Sequence, residues 1–349
     1  MCLKFVDISY YKDFLRDLVE EIKGIHTLVS VYQFGSISVP GISDIDIIMV
    51  FQDEASPKDV YKAKRIFWEI VKGEEIYGYI IAHEPFFVPE SLWKEFPNHF
   101  FIEKKFLQLI FGKKIPVETS INDGERLLIN VEVITSKLIQ EITAFLKESY
   151  NLKWLLLRAH SIRHSLKLLE GFIDIKDLES LVITGKIRQQ FIEYKKIDDE
   201  FSSPIFLRKL IKSSMSDFYY LLNLCSSLIF EKYFVYGFVN EGIEYLYDNR
   251  LLLRFKKSKN LNMIVDSDRL KVDYPPKLFF VINLYSRFFK NMKKRFYGIN
   301  FHEFKLYDDT LINIIEKRCH FINKIWQWNK KIFGTSITPM GFIPFGYIE

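Results

Sequence analysis

The chain has 349 residues, of which 48% are hydrophobic and 27% charged, with a formal net charge of +5. That length exceeds what one compact core usually serves and predicts two domains, while the composition excludes a largely disordered chain. The mild positive excess suits anionic ligands such as nucleotides without by itself marking a nucleic-acid binder.

In chain order, Tyr11, Phe14, Leu15, Leu18 and Ile22 fall at helical spacing and Gly24 follows as a stop, which predicts an amphipathic helix. A strand is predicted over 27–34, ending at Gly35-Ser36. Pro40-Gly41 marks a turn, and a second strand is expected over 44–51. Ser56-Pro57-Lys58-Asp59 supplies an N-cap, a proline at the first helical position and an acid at the capping-box position. Val60, Ala63, Phe67, Ile70 and Val71 form the buried face of that helix. Residues 77–88 have strand composition. Beyond about residue 120 the pattern becomes mainly helical, with helices expected over 125–146, 152–169, 204–230, 276–296 and 308–332. Residues 251–272 are less regular and admit strands, and the tail 334–349 reads as an extended arm.

These elements predict an α+β protein. An α/β domain with a mixed sheet, residues 1–120, precedes a mainly α-helical domain, residues 121–349. The longest apolar run, 218–230, contains Asn223 and stops at Glu231, so it reads as a core helix and no membrane association is expected. Cys2, Cys225 and Cys319 are far apart and not in metal-ligand spacing, and the N-terminus carries Lys4, Asp7, Lys12 and Asp13 among its apolar residues. Both features predict a reduced, cytoplasmic setting without a signal peptide.

The most informative residues are Asp44 and Asp46, in Ser43-Asp44-Ile45-Asp46-Ile47-Ile48-Met49-Val50. Residues two apart on a strand point the same way, so both carboxylates are expected on one side of a core strand. Like charges placed that close are costly unless a cation holds them, and hard divalent cations prefer carboxylate oxygens. Upstream, Gly35 lets the backbone approach a phosphate, while the Ser36 hydroxyl and local N–H groups can donate to its oxygens.

The string Gly35-Ser36…Pro40-Gly41-Ile42-Ser43-Asp44-Ile45-Asp46-Ile47-Ile48-Met49-Val50 resembles the signature of the nucleotidyltransferase (DNA polymerase β-like) superfamily. The resemblance implies Mg²⁺-dependent transfer of a nucleoside monophosphate from a nucleoside triphosphate to a hydroxyl acceptor, releasing pyrophosphate. It implies that Gly35, Ser36 and Ser43 serve the nucleotide, that Asp44 and Asp46 are catalytic metal ligands, and that two Mg²⁺ ions take part. ATP is the expected nucleotide. An α/β half followed by a helical half also resembles the small-molecule branch of that superfamily, which implies a small-molecule acceptor, with RNA or protein as alternatives.

The family carries a third carboxylate on a following strand. Glu84, in Ile80-Ile81-Ala82-His83-Glu84-Pro85, is the preferred candidate. Glu132, in Asn130-Val131-Glu132-Val133, is the other, although 125–146 fits a long helix better. If neither reaches the metals, the expectation shifts to a catalytically weak binding or antitoxin-type regulatory protein. Arg158 and His164 resemble the arginine–histidine spacing of helical ribonuclease domains that partner nucleotidyltransferase antitoxins, but read more simply as the polar face of a helix. The basic clusters Lys256-Lys257-Ser258-Lys259 and Lys290…Lys293-Lys294-Arg295 read as solvated faces.

Overall fold

The computed structural model describes residues 3–99, 102, 104–118, 121–147, 151–174, 178–238, 243–248, 251–258, 260–266, 269–288, 296–297 and 304–334. The chain forms two compact units. The first comprises Met1–Ile121 with Ile187–Asp198 and Phe321–Met340, and the second comprises the remainder. The fold is α+β: a mixed four-stranded sheet in the N-terminal region, then a mostly helical region.

In the first unit, α1 (Ile8–Ile22) is capped by Asp7 and buries Tyr11, Phe14, Leu18 and Ile22. Strand β1 (Leu28–Phe34) is followed by β2 (Asp46–Phe51), with which it pairs antiparallel, Phe34 opposite Asp46. Helix α2 (Pro57–Gly73) starts at Ser56, whose side chain accepts from the Asp59 N–H, with proline in the first turn. Next come α3 (Glu75–Ile80), β3 (Phe86–Pro89), parallel to β2, and two short helices, α4 (Glu90–Trp93) and α5 (Phe96–His99). Strand β4 (Gln108–Gly112) adds to the other edge of β1, giving the order β3-β2-β1-β4.

The unbroken apolar run of β2 is explained by a sheet covered on both faces. Ile47, Met49 and Phe51 join the cluster formed with α1, α2 and α3. Ile48 and Val50 join Tyr32, Val88, Leu92, Trp93 and Phe96 on the opposite face.

The strand expected over 77–88 is a correction: residues 75–80 are helical and only 86–89 are extended. The β-favouring residues Tyr77, Tyr79 and Ile80 are overruled by tertiary contacts, since β-propensity depends on what a side chain packs against. Tyr77 is buried edge-on to Phe14 and donates to Asp17, while Tyr79 donates to the Gly41 carbonyl at 2.8 Å.

The second unit is built on α6 (Asp123–Leu146), which opens with a capping box between Asn122 and Glu125. It packs on α8 (Ile162–Leu169) and α10 (Pro204–Tyr233), and α7 (Leu152–His160) packs on those two. The helix expected over 152–169 is therefore interrupted at Ser161. Helix α9 (Glu179–Tyr194), not expected from sequence, gives its residues from Ile187 onward to the first unit.

The irregular stretch is strand-forming. With β5 (Phe234–Gly237) preceding them, β6 (Ile243–Asp248), β7 (Leu251–Phe255), β8 (Met263–Asp266), β9 (Arg269–Tyr274) and β10 (Phe296–Tyr297) form a sheet of order β10-β6-β7-β9-β8. Helix α11 (Pro276–Ser286) precedes β10, β11 (Phe304–Leu306) pairs with β5, and α12 (Thr310–Phe333) ends the described chain. The expected tail arm and the cluster ending at Arg295 lie outside the described residues. Among those residues, no helix is long and apolar enough to cross a membrane, and Cys225 and Cys319 are free and buried.

Within α6, Glu132 is fully buried and bound by Arg318: the Arg318 Nε reaches Glu132 Oε1 at 3.0 Å and a terminal nitrogen bonds Oε2. The Tyr285 hydroxyl completes the group. The alternative of Glu132 on a strand is thus excluded, and its carboxylate is engaged in a buried ion pair. Arg158 of α7 is likewise occupied, its Nε donating to the buried Glu141 at 2.9 Å.

Candidate metal centre

The connection between β1 and β2 and the first residues of β2 carry the motif. Gly35 leaves β1 with φ of +81°, a conformation that glycine adopts without steric cost. Gly41 has φ of +91°, and a Cβ there would lie 2.3 Å from the Lys4 carbonyl oxygen. Gly41→Ala is expected to destabilise the first unit by about 1–3 kcal/mol. A shift in the urea midpoint tests this, and an unchanged midpoint would contradict the close approach.

Two tyrosines hold the loop. The Tyr11 hydroxyl donates to the Ser43 carbonyl at 2.8 Å and accepts from the Gly41 N–H at 2.9 Å, while Tyr79 takes the Gly41 carbonyl. Burial dominates the balance on Tyr11 and pushes its pKa up to about 12, so it stays a neutral donor. Ser43 is buried, and its Oγ accepts from the Val39 N–H at 3.1 Å. Its observed role is to shape the loop. Gly35 and Ser36 are both exposed.

Asp46 opens β2, and Asp44 stands two residues before it, just outside the strand. Ile45 and Ile47 are buried in the α1–α2 cluster, so alternation turns Asp46 the other way. Both aspartates are partly exposed. The site faces the glycine bend: a Cβ on Gly35 would lie 3.4 Å from Asp46 Oδ2.

The third member of the group is His83. One ligand atom each from Asp44, Asp46 and His83 lies within 4.8 Å of the others. His83 Nε2 is 2.8 Å from Asp46 Oδ1, and Nδ1 is 2.7 Å from the Glu84 carbonyl oxygen. Burial works to lower the imidazole pKa, but the hydrogen bond and charge of Asp46, the Glu84 carbonyl and the Asp44 charge outweigh it and raise it to about 9. The ring also stacks obliquely on Phe86 at 4.9 Å.

The Glu84 carboxylate, the preferred third acid from sequence, forms an ion pair with Lys64 of α2 at 2.6 Å. The group brought together is therefore Asp44, Asp46 and His83. The sequence held a signal for His83, which is adjacent to Glu84 and ahead of Pro85. The family resemblance, which implies a third carboxylate on a following strand, favoured the acid. Two carboxylates and an imidazole are a donor set that fits a divalent cation.

The second unit has a separate cleft of about 540 Å³ lined by Glu179, Ile205, Arg208, Lys209, Lys212, Ser213 and Ser216. Comparison with known protein families, with curated proteins and with solved structures finds no match for the chain.

Proposed function

We propose that this protein is a metal-dependent nucleotidyltransferase. It would join an acceptor hydroxyl oxygen to the α-phosphorus of a nucleoside triphosphate, taken to be ATP, and release pyrophosphate. The supporting observation is that Asp44 and Asp46 converge beside the exposed Gly35-Ser36 bend.

In this reading Asp44 and Asp46 hold divalent ions, two in the full form of the reaction. When bound, such ions neutralise charge on the triphosphate and stabilise the leaving pyrophosphate. The Gly35 backbone admits the phosphate chain without a side chain in the way, and Ser36 donates to its oxygens. Tyr11 and Tyr79 keep the acid-bearing loop in place through Gly41 and Ser43.

A labelled-triphosphate transfer assay tests the reading. Mg²⁺ or Mn²⁺ is supplied with small molecules, RNA and co-expressed proteins as acceptors. RNA is included because three of the side chains lining the second unit's cleft are cationic. Label appearing on an acceptor together with pyrophosphate is the expected result.

One observation favours a second reading, a nucleotide-binding regulatory protein of antitoxin type. The position where the family resemblance places a third acid offers His83, while Glu84 is tied to Lys64. Nucleotide binding with no pyrophosphate release across the whole screen would select it.

Within the enzymatic reading, Glu84→Gln is expected to change the transfer rate less than about fivefold, because its carboxylate serves a partly exposed ion pair. His83→Ala is expected to lower the rate by about 10- to 100-fold. Steady-state kinetics on the two variants decide, and the reverse order would restore Glu84 as the third acid.

A further inference from the structure

The imidazole bears on which ion the centre prefers, and the inference rests on the metal-dependent reading above. An all-carboxylate site suits Mg²⁺, which is small, hard and reluctant to shed water. Imidazole nitrogen suits first-row transition ions, whose affinity for mixed nitrogen–oxygen sites follows the Irving–Williams order.

His83 is oriented as a ligand. The Glu84 carbonyl oxygen, 2.7 Å from Nδ1, can only accept, so Nδ1 carries a proton whether the ring is neutral or charged. That leaves Nε2 as the atom aimed at the carboxylates, 2.8 Å from Asp46 Oδ1. Metal-binding histidines are held in the same way, one ring N–H given to a backbone carbonyl and the other nitrogen facing the ion. The Phe86 ring, 4.9 Å away, supports the same ring position. Because the orienting group is a main-chain carbonyl, it survives any substitution of the Glu84 side chain. That carboxylate is itself engaged by Lys64, which leaves the centre with one nitrogen and two carboxylate ligands.

We infer that Asp44, Asp46 and His83 form a centre selective for a transition-metal dication of the Mn²⁺ to Zn²⁺ series over Mg²⁺, with His83 Nε2 as the selecting ligand. Mn²⁺ serves as the probe, being the member closest to Mg²⁺ in its chemistry and therefore the most demanding comparison.

The test is Mn²⁺ binding to the full chain without nucleotide, followed by calorimetry and by electron paramagnetic resonance, with Mg²⁺ as competitor. Mn²⁺ is expected to bind at least about tenfold more tightly than Mg²⁺. The bound ion should show nitrogen hyperfine coupling. His83→Ala should remove the coupling and weaken Mn²⁺ by about 10- to 100-fold, whereas Glu84→Ala should leave both unchanged. His83→Glu, an all-oxygen set, should narrow the gap between the two ions. It also guards against a folding artefact, with the melting temperature of each variant measured alongside.

Equal affinity for the two ions, absence of nitrogen coupling, no binding at all, or an unaltered His83→Ala variant each overturns the inference. Nitrogen-coupled Mn²⁺ binding without transfer to any acceptor would keep the centre and reject only the transferase reading. Transfer with Mg²⁺ preferred at the binding step would do the opposite.

Discussion

Asp46→Asn is expected to lower the rate of pyrophosphate release by at least about a thousandfold, with Asp44→Asn close behind. Charge stabilisation by a bound ion contributes several kcal/mol to such transfers, and each 1.36 kcal/mol is about a factor of ten. An amide keeps the shape of the carboxylate but loses the charge that holds the ion. The fold should tolerate the change. Asp46 and His83 are partly exposed, and an ion pair of that kind contributes about 1 kcal/mol or less. The melting temperature should therefore stay within about 3 °C of the parent. Activity and melting temperature measured on the same preparations separate a lost site from a lost fold. Full turnover by the doubly substituted chain would reject the transferase reading.

The second large effect concerns Glu132, the other residue considered for the third acid. Glu132→Gln is expected to destabilise the protein by about 3–5 kcal/mol, because it leaves the Arg318 guanidinium charged and without its carboxylate inside the second unit. In the parent, burial and the Glu132 charge raise the Tyr285 pKa well above its usual value against the opposing Arg318 charge, so its hydroxyl stays neutral beside the pair. Urea denaturation followed by circular dichroism gives the measurement. The combined variant Glu132→Met, Arg318→Met should recover most of the loss, since removing both charges also removes the cost of burying them. At concentrations where Glu132→Gln remains folded, pyrophosphate release should match the parent. A folded but inactive Glu132→Gln would make it part of the chemistry after all.

Much of this arrangement was legible in the sequence because local rules and tertiary context agree. The Ser56-Pro57 start of α2, the long α6 and the β-branched strand after Asp46 each satisfy their pattern without help from elsewhere. The Asp44–Asp46 pair was legible for the same reason, since alternation along a buried strand fixes the direction of Asp46.

Other features were not legible. Helix α3 has strand-like residues whose fate is decided by Phe14, Asp17 and Gly41, all distant in sequence. Strand β4 is an edge strand with no fully buried residue, so it lacks the apolar alternation that marks a strand. The return of Phe321, Ile325, Trp328 and Ile332 to the first core is a property of topology that no local window contains. The prominence of Glu84 over His83 followed from the third carboxylate that the family resemblance implies on a following strand. Once residues 81–85 are irregular, neighbouring side chains no longer alternate by rule, and the imidazole takes the inward place.

The two phenols under the motif loop couple the candidate metal centre to the architecture. Tyr11 and Tyr79 belong to the helices that make the first hydrophobic core, yet their hydroxyls satisfy the backbone on which Asp44 is carried. Phenylalanine at either position would preserve core volume while freeing main-chain groups of Gly41, and of Ser43 in the case of Tyr11. Stiffness around the acid pair is thus borrowed from the interior, and a substitution that loosens one will slacken the other.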